Sequence, residues 1–155
     1  MSLRADVQKP KRLEFVTLVA GEQNFCIEIT QIREIRRWTP VTMLPHSPDH
    51  VLGVINLRGA VIPIIDLAAK LGFAQIAPTE RHVIIIIAVE DRIIGLLVES
   101  VSEILGVDAE NVRETPRGPE DVTTRVITGI IPLGDDMTKI ISLPSLLTQP
   151  LQVAA

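Results

Sequence analysis

The sequence predicts a mainly β protein with a duplicated strand pattern, and three observations support that fold class. Hydrophobic residues make up 46% of the chain but aromatic residues only 3%, so the core is aliphatic and favours sheet. Short apolar runs recur at hairpin spacing, separated by polar turns such as those at 21–23 and 90–92. The apolar runs of Leu13–Gly72 also return in the same order in Arg81–Leu147. At 155 residues, the chain can bury one good core or two small cores that share an interface.

The duplication extends over most of the chain. It places Cys26 opposite Gly95, which indicates a position that requires a small residue. We therefore predict one domain over 13–147, made of two β modules at about 13–72 and 81–147, with flexible tails at 1–12 and 148–155. The aligned segments are Phe15–Leu18 with Ile84–Ile87, Asn24–Ile29 with Ile93–Val98, Ile32–Ile35 with Val101–Ile104, Gly53–Leu57 with Gly129–Leu133, and Ile64–Leu67 with Ile140–Leu143.

A few short helices are predicted between the strands. The three-residue spacing of Ile29, Ile32 and Ile35 places these side chains on one side of a helical turn. Asp66 has the residue type and position of an N-cap, which predicts a short helix directly after it. Pro144 suits the first turn of another short helix near the end of the chain.

Charge and cysteine content exclude several classes of protein. Fifteen basic and nineteen acidic residues give a net charge of −4 without long blocks of either sign, which argues against a nucleic-acid partner. One cysteine excludes an intramolecular disulfide framework and fits a reducing cytoplasm. The longest apolar run, Val83–Val89, is far shorter than the ~20 residues that cross a bilayer, so we expect no direct membrane insertion. Residues 1–12 also lack a signal-peptide pattern, and the predicted location is cytoplasmic.

The sequence offers no credible active site, and we predict no catalytic residue, metal or cofactor. Cys26 has no histidine or cation beside it in sequence that could lower its pKa, so a small structural residue is expected there. His46 and His50 have a spacing that binds metals on a helix, but Pro45 and Pro48 interrupt the segment. Ordinary loop histidines are therefore expected.

Two charged residues require a different explanation. Arg58 lies at the tip of a predicted hairpin, and Glu34 lies between two isoleucines of a separate segment. Both side chains could simply be solvated surface charges that contribute little to stability. Alternatively, they pair across neighbouring elements and hold a polar anchor beside apolar surface, which is a common composition of a binding hot spot. The residues alone leave both accounts open.

Several motifs follow one another along the chain. They are Ile29-x-x-Ile32-x-Glu34-Ile35, then Pro45-x-x-Pro48-x-x-Val51-x-Gly53, then Asn56-Leu57-Arg58-Gly59 and Val61–Leu67, and finally Gly95–Ile104 with Gly129 and Ile140–Leu143. These motifs resemble those of the CheW family, the adaptor domain of bacterial chemotaxis. The resemblance covers about Leu13 to Leu147 and implies two interlocked five-stranded SH3-like barrels with a few short helices. Trp38, a large aromatic residue, departs from the family pattern.

The resemblance implies a non-enzymatic adaptor that couples chemoreceptors to a CheA-type histidine kinase at membrane-associated receptor arrays. The expected partners are the regulatory domain of that kinase and the cytoplasmic tip of the receptors. An adaptor of the same kind in a twitching-motility or other chemosensory-like pathway is an alternative. A more remote alternative is a small-molecule-binding or hydrolytic barrel that uses Cys26.

The resemblance also implies which residues meet each partner, and it favours the functional account of Glu34 and Arg58. We expect Glu34 to orient Arg58 beside a groove between the modules. Receptor-binding residues are predicted to be Ile32, Glu34, Arg58, Val83 and Val98; kinase-binding residues Val41 and Gly53; and further motif residues Asn56, Leu57 and Gly59.

Overall fold

The computed structural model describes residues 12–115 and 125–148, which form two five-stranded sheets with short helical segments between strands. The strands are β1 Arg12–Ala20, β2 Gln23–Glu28, β3 Ile32–Arg37, β4 Val51–Leu57, β5 Ala60–Asp66, β6 Val83–Val89, β7 Arg92–Val98, β8 Ser100–Asp108, β9 Ile127–Leu133 and β10 Asp136–Ile141. Helix α1 is Leu67–Lys70 and helix α2 is Leu143–Thr148, and 3₁₀ turns cover Ile29–Gln31 and Ala109–Asn111.

The two sheets have the same topology. Sheet A has the order β8-β1-β2-β10-β9, and sheet B has the order β3-β6-β7-β5-β4. Exchanging each strand for the one five places away in the chain converts one order into the other. Each sheet takes strands from both halves of the sequence, which meet in the parallel pairs β2–β10 and β5–β7 and in the antiparallel pairs β1–β8 and β3–β6. The predicted fold class, mainly β with two interlocked five-stranded units, is confirmed, while the domain limits stay a prediction.

The strand register shows which residues of the two sheets correspond. In sheet A, Ile140 lies opposite Cys26, and in sheet B, Ile64 lies opposite Gly95. Cys26 therefore corresponds to Gly95, as the alignment of the two halves predicted. A Cβ atom on Gly95 would lie 2.5 Å from Cδ1 of Ile64, so a side chain at this position in sheet B would have to displace the end of Ile64.

Each sheet is curled, so that its two edges come close together. The segment that follows one edge strand, β3 or β8, pairs with the strand at the other edge of the same sheet. After β3, Thr42 exchanges two backbone hydrogen bonds of 2.9 Å with Val54 of β4. After β8, Arg113 pairs in the same way with Ile130 of β9, at 2.8 and 2.9 Å. These bridges join the edges of each curled sheet, and edge-to-edge closure is what turns a sheet into a barrel.

The core has three parts, which follow from this arrangement. Six residues inside sheet B, among them Ile64 and Ile84, form one buried cluster, and partly buried Trp38 packs against it. Phe15, Cys26, Ile131 and Ile140 form the corresponding cluster inside sheet A. The largest cluster contains residues of both sheets and of both helices. The chain therefore has two small aliphatic cores and a shared interface.

The short helices agree with the prediction except at one place. The side chain of Asp66 accepts a hydrogen bond from the backbone N–H of Ala69 at 3.3 Å, so it caps α1 as predicted. Pro144 lies in the first turn of α2, which is also confirmed. The predicted helical turn through Ile35 is wrong beyond residue 31, because Ile32 and Ile35 belong to strand β3. Backbone pairing with β6 overrides the local three-residue spacing.

Candidate functional site

An apolar groove runs between the two sheets, and we call it the β3–β8 groove. It encloses about 400 Å³, and strands β3 and β8, which correspond to each other in the two sheets, supply most of its walls. Ile35 and Ile104 occupy corresponding positions on these walls and are 44% and 60% exposed. Its lining residues are Val16, Ile29, Ile32, Glu34, Ile35, Val101, Ser102, Glu103 and Ile104. Paired exposed isoleucines beside a concave apolar surface are typical of a site that binds another protein.

Glu34 forms an ion pair with Arg58 at the rim of this groove. Nη2 of Arg58 donates to Oε1 of Glu34 at 2.6 Å, while Nη1 of Arg36 lies 3.4 Å from Oε2. The hydrogen bond from Arg58, helped by the charges of both arginines, lowers the pKa of Glu34 despite partial burial. The pair links β3 to the β4–β5 hairpin, and β3 and β4 are the two edge strands of sheet B. The carboxylate therefore holds the arginine in place beside the groove.

The hairpin loop holds Arg58 in an unusual backbone conformation. Arg58 and Gly59 form the two-residue connection between β4 and β5, with φ angles of 52° and 89°. Positive φ at both positions is the type I′ geometry that matches the twist of the two strands. The side chain of Asn56 accepts from the N–H of Gly59 at 3.0 Å and stabilises this turn. Leu57 packs against the core of sheet B. A residue with a Cβ at positive φ is strained, so the position retains an arginine at some cost in stability.

The structure brings together three of the five residues predicted to bind a receptor. Ile32 and Glu34 line the β3–β8 groove, and Arg58 is held by Glu34. Val83 and Val98 lie opposite each other on β6 and β7 instead. Val83 is partly buried against the shared core, and Val98 is 0% exposed. The predicted receptor surface is therefore wrong at Val98, which has no exposed atoms for a direct contact. Val98 can support the neighbouring strands only from beneath.

The two residues predicted to meet the kinase are neighbours. A Cβ atom on Gly53 would lie 2.8 Å from Cγ2 of Val41 and 2.4 Å from the carbonyl oxygen of Thr42. Gly53 is buried and has a φ of 153°. Its lack of a side chain lets the segment after β3 close the barrel, so it shapes this surface from below. Val41 is partly exposed, and Met43 and Leu44 beside it are 79% and 47% exposed.

The cysteine and the histidines do not form a reactive centre. Burial raises the pKa of Cys26 to about 11, so the thiol is protonated at neutral pH and is not activated as a nucleophile. His46 is exposed, whereas His50, in the turn directly before β4, is only 8% exposed. Over residues 12–115 and 125–148, no group of three or more His, Cys, Asp or Glu side chains is arranged to hold a metal ion. None of the helices in these same ranges is long and apolar enough to cross a membrane.

Sequence reasoning missed the exposed wall residues Ile35 and Ile104 as site residues. Each was noted as part of a motif, but a strand residue in a mixed apolar and polar segment gives no direct sign of its exposure. The aligned positions of the two isoleucines in the duplicated pattern were the available signal. Strands that correspond in a duplicated fold can face each other, and here they form the two walls of one groove.

These features define the class of protein: a rigid double barrel that presents an apolar groove, exposed isoleucines and a fixed arginine to another protein. Residues 14–151 match the family model of the CheW-like domain. The chain belongs to the CheW family of chemotaxis proteins.

Individual relatives agree with this assignment. The chain is 46% identical over 142 residues to a probable chemotaxis protein CheW from Rhizobium etli, covering 92% of each chain. It is 45% identical over 132 residues to the chemotaxis protein CheW from Rhizobium meliloti, covering 85% of each. Among solved structures, the scaffolding protein TtCheW from Thermoanaerobacter tengcongensis superposes with a TM-score of 0.79 at 28% identity, covering 91% of this chain and 94% of that one.

Proposed function

We propose that the protein is a non-enzymatic adaptor that couples chemoreceptors to a CheA-type histidine kinase in the cytoplasm, at receptor arrays. Its membership of the CheW family supports a role in chemotaxis. The similar crystal structure is described as a scaffolding protein, which supports a binding role rather than a catalytic one. The protonated, buried state of Cys26 gives the alternative of a hydrolytic barrel no support.

The observation that carries the proposal is the ion pair of Glu34 and Arg58 beside the β3–β8 groove. The side chain of Arg58 is 74% exposed although Glu34 fixes its guanidinium. An exposed ion pair contributes little to stability, so stability does not explain a strained arginine. A receptor tip made of a helical hairpin could place apolar side chains in the groove against Ile32, Ile35 and Ile104, as amphipathic helices do in other grooves. Arg58 would then bind a polar or acidic group at the rim.

The proposed kinase surface is a separate one. Val41 packs over Gly53, and the adjoining Met43 and Leu44 are exposed. Exposed methionine and leucine side chains side by side are unusual on a surface with no partner. We assign this segment to the regulatory domain of the kinase, which leaves the β3–β8 groove available to the receptor at the same time.

The test is the substitution Arg58→Ala, with Arg81→Ala as a matched control at an exposed arginine outside the groove lining. Each variant is titrated calorimetrically against a receptor cytoplasmic fragment and, separately, against the regulatory domain of the kinase. We expect Arg58→Ala to weaken receptor binding about tenfold or more, because an arginine anchor at an apolar rim is typical of a hot spot. Kinase binding should stay at the wild-type value, and receptor-dependent kinase activation should fall.

Three results would overturn parts of this proposal. Loss of folding in Arg58→Ala, seen by circular dichroism, would make Arg58 a structural residue. Wild-type receptor binding by a folded Arg58→Ala variant would remove the groove from the receptor interface. Failure of the wild-type protein to bind either partner from its own genome would favour the alternative of another chemosensory pathway, such as twitching motility.

A further inference from the structure

A second cavity lies against β4, β5 and β7 of sheet B, and we call it the histidine cavity. It encloses about 420 Å³ and is bounded by β4, β5 and β7 together with α1 and α2. It shares no lining residue with the β3–β8 groove. The lining residues are His50, Val51, Pro63, Ile65, Lys70, Arg92, Ile93, Ile94 and Leu147.

Three basic side chains line the histidine cavity. His50 and Lys70 are 8% and 6% exposed, and Arg92 is an exposed residue of its lining. Nδ1 of His50 is buried and has no hydrogen-bond partner within residues 12–115 and 125–148. Burial lowers the pKa of both His50 and Lys70. The charge of Lys70 lowers the pKa of His50 further, whereas the charge of Asp49 raises it. The cavity therefore brings three basic groups together, and burial disfavours the cationic forms of two of them.

Sheet A shows that the fold does not require these polar residues. The carbonyl oxygen of His50 accepts from the N–H of Asp66 at 2.8 Å, and that of Val126 accepts from Ser142 at 2.7 Å. His50 thus corresponds to Val126, which is fully buried. By the same correspondence, Lys70 of α1 takes the place of a buried leucine of α2, Leu146. Sheet B carries an imidazole and an ammonium group where sheet A carries apolar side chains.

Sheet A carries larger side chains at two of the corresponding places. Phe25 lies beside Lys139 in the strand register, and Nζ of Lys139 is 4.7 Å from the centre of the Phe25 ring. The corresponding residues of sheet B are Ile94 and Pro63, and both line the histidine cavity. An isoleucine and a proline are smaller than a phenylalanine and a lysine. The smaller side chains of sheet B at these two places therefore contribute to the volume of the cavity.

We propose that the histidine cavity binds a small organic anion, a carboxylate carried on a short apolar chain. The carboxylate would be bound among His50, Lys70 and Arg92, where ionic hydrogen bonds are stronger than neutral ones. The apolar chain would lie against Ile65 and Ile94, because the rest of the lining is mainly aliphatic. This binding is independent of the proposed receptor and kinase surfaces.

The test is an NMR titration of the full chain with hexanoate, and hexan-1-ol serves as the matched uncharged probe. Hexanoate should shift amide signals of β4, β5 and α1, and it should raise the pKa of His50 read from its ring protons, since a nearby anion favours imidazolium. Hexan-1-ol should bind about tenfold more weakly, because it lacks the charge. Arg92→Gln should weaken hexanoate binding about two- to fivefold, as for an exposed ion pair, while Arg81→Gln should leave it unchanged.

The substitution Ile94→Phe makes this position the same as Phe25 of sheet A and should abolish hexanoate binding by filling the cavity. Arg92→Gln keeps the test valid if Ile94→Phe does not fold, because Arg92 is exposed. Equal binding of hexanoate and hexan-1-ol would reduce the site to an apolar cavity and overturn the proposal. Amide shifts that persist in a folded Ile94→Phe variant, or that lie outside the cavity lining, would also overturn it.

Discussion

Sheets A and B share a topology and a closing bridge, but their residues differ at corresponding places, and two of these are informative. The first loop position between the last two strands is Gly134 in sheet A, with a φ of 59°, and Arg58 in sheet B, with a φ of 52°. The position before β9 is Val126 in sheet A, and the position before β4 is His50 in sheet B. Sheet A thus uses a relaxed glycine and an apolar side chain where sheet B uses a strained arginine and a buried imidazole.

This difference separates the requirements of the fold from those of function. A feature present in both sheets, such as the closing bridge over Gly53 and Gly129, is needed for the barrel itself. A feature present in one sheet that lowers stability requires another explanation. Arg58 and His50 meet that condition, and each borders a concave surface.

The largest expected effect tests the shared feature, through Gly53→Ala and its counterpart Gly129→Ala. A Cβ on Gly53 would lie 2.4 Å from a backbone oxygen, that of Thr42, at a φ of 153°. A Cβ on Gly129 would lie 2.9 Å from the end of the Val112 side chain and 3.1 Å from the nearest backbone oxygen. We expect Gly53→Ala to lower the free energy of unfolding by about 3 kcal/mol and Gly129→Ala by about 1 kcal/mol. Urea denaturation measures both.

Equal losses in the two variants would mean that both closing bridges tolerate an added Cβ atom equally well. The shorter contact distance at Gly53 would then have no effect on stability. A loss of less than about 1 kcal/mol for Gly53→Ala would indicate that Thr42 and its segment move away readily. In that case Gly53 would not hold the surface that carries Val41, and the proposed kinase site would lose its rigid base.

A smaller effect is expected from His50→Val, which gives sheet B the residue type of sheet A. Burial holds the pKa of His50 below its ordinary value of 6.5, so above that pH the folded and unfolded states are both neutral there. As the pH falls through 6.5, the unfolded state takes up a proton first, and stability is lost. Wild type should lose about 1 kcal/mol through this group between about pH 7.5 and 5.5. His50→Val should remove that part of the slope.

The measurement is the urea midpoint as a function of pH, and the charged groups around His50 are Lys70, Asp49 and Arg92. His46→Asn is the control, because His46 is exposed and asparagine tolerates its φ of 62°. It should keep the wild-type slope. If the stability of His50→Val depends on pH as steeply as that of the wild type, other groups cause the pH dependence. The buried imidazole would then cost no more stability than Val126 does in sheet A.

Much of the fold could be predicted from sequence because aliphatic runs and turn residues determine where strands form. The residue pattern alone, without the family resemblance, could not give the exchange of strands between the halves, since β2–β10 and β5–β7 pair over long sequence separations. A local pattern determines that a segment becomes a strand, but not which strand it pairs with. For the same reason Ile32 and Ile35 were predicted as part of a helical turn and belong to β3.

The site was predictable where a residue conflicted with its surroundings. Arg58 stood out at a hairpin tip and Glu34 between two isoleucines, and the resemblance to the CheW family favoured a functional account of both residues. The pair itself joins opposite edges of a curled sheet, which no local pattern encodes. Val98 was misplaced because a family position does not state its burial. The histidine cavity was missed because it depends on the size of Ile94 relative to its counterpart Phe25, and volume at one position is visible only after the strands are paired.

The smallest expected change in stability, and the sharpest test of the comparison, is Arg58→Gly, which gives sheet B the loop residue of sheet A. Glycine removes the strain of the left-handed conformation but adds freedom to the unfolded chain, so the free energy of unfolding should change by no more than about 1 kcal/mol. Receptor binding should nevertheless fall as far as in Arg58→Ala, since both variants lack the guanidinium. Urea denaturation and calorimetric titration with the receptor fragment, run on the same preparation, measure the two quantities. Retained receptor binding in Arg58→Gly would mean that the loop backbone, and not the arginine side chain, supplies the contact. A loss of stability well beyond the expected range would mean that the ion pair with Glu34 holds β3 and the hairpin together.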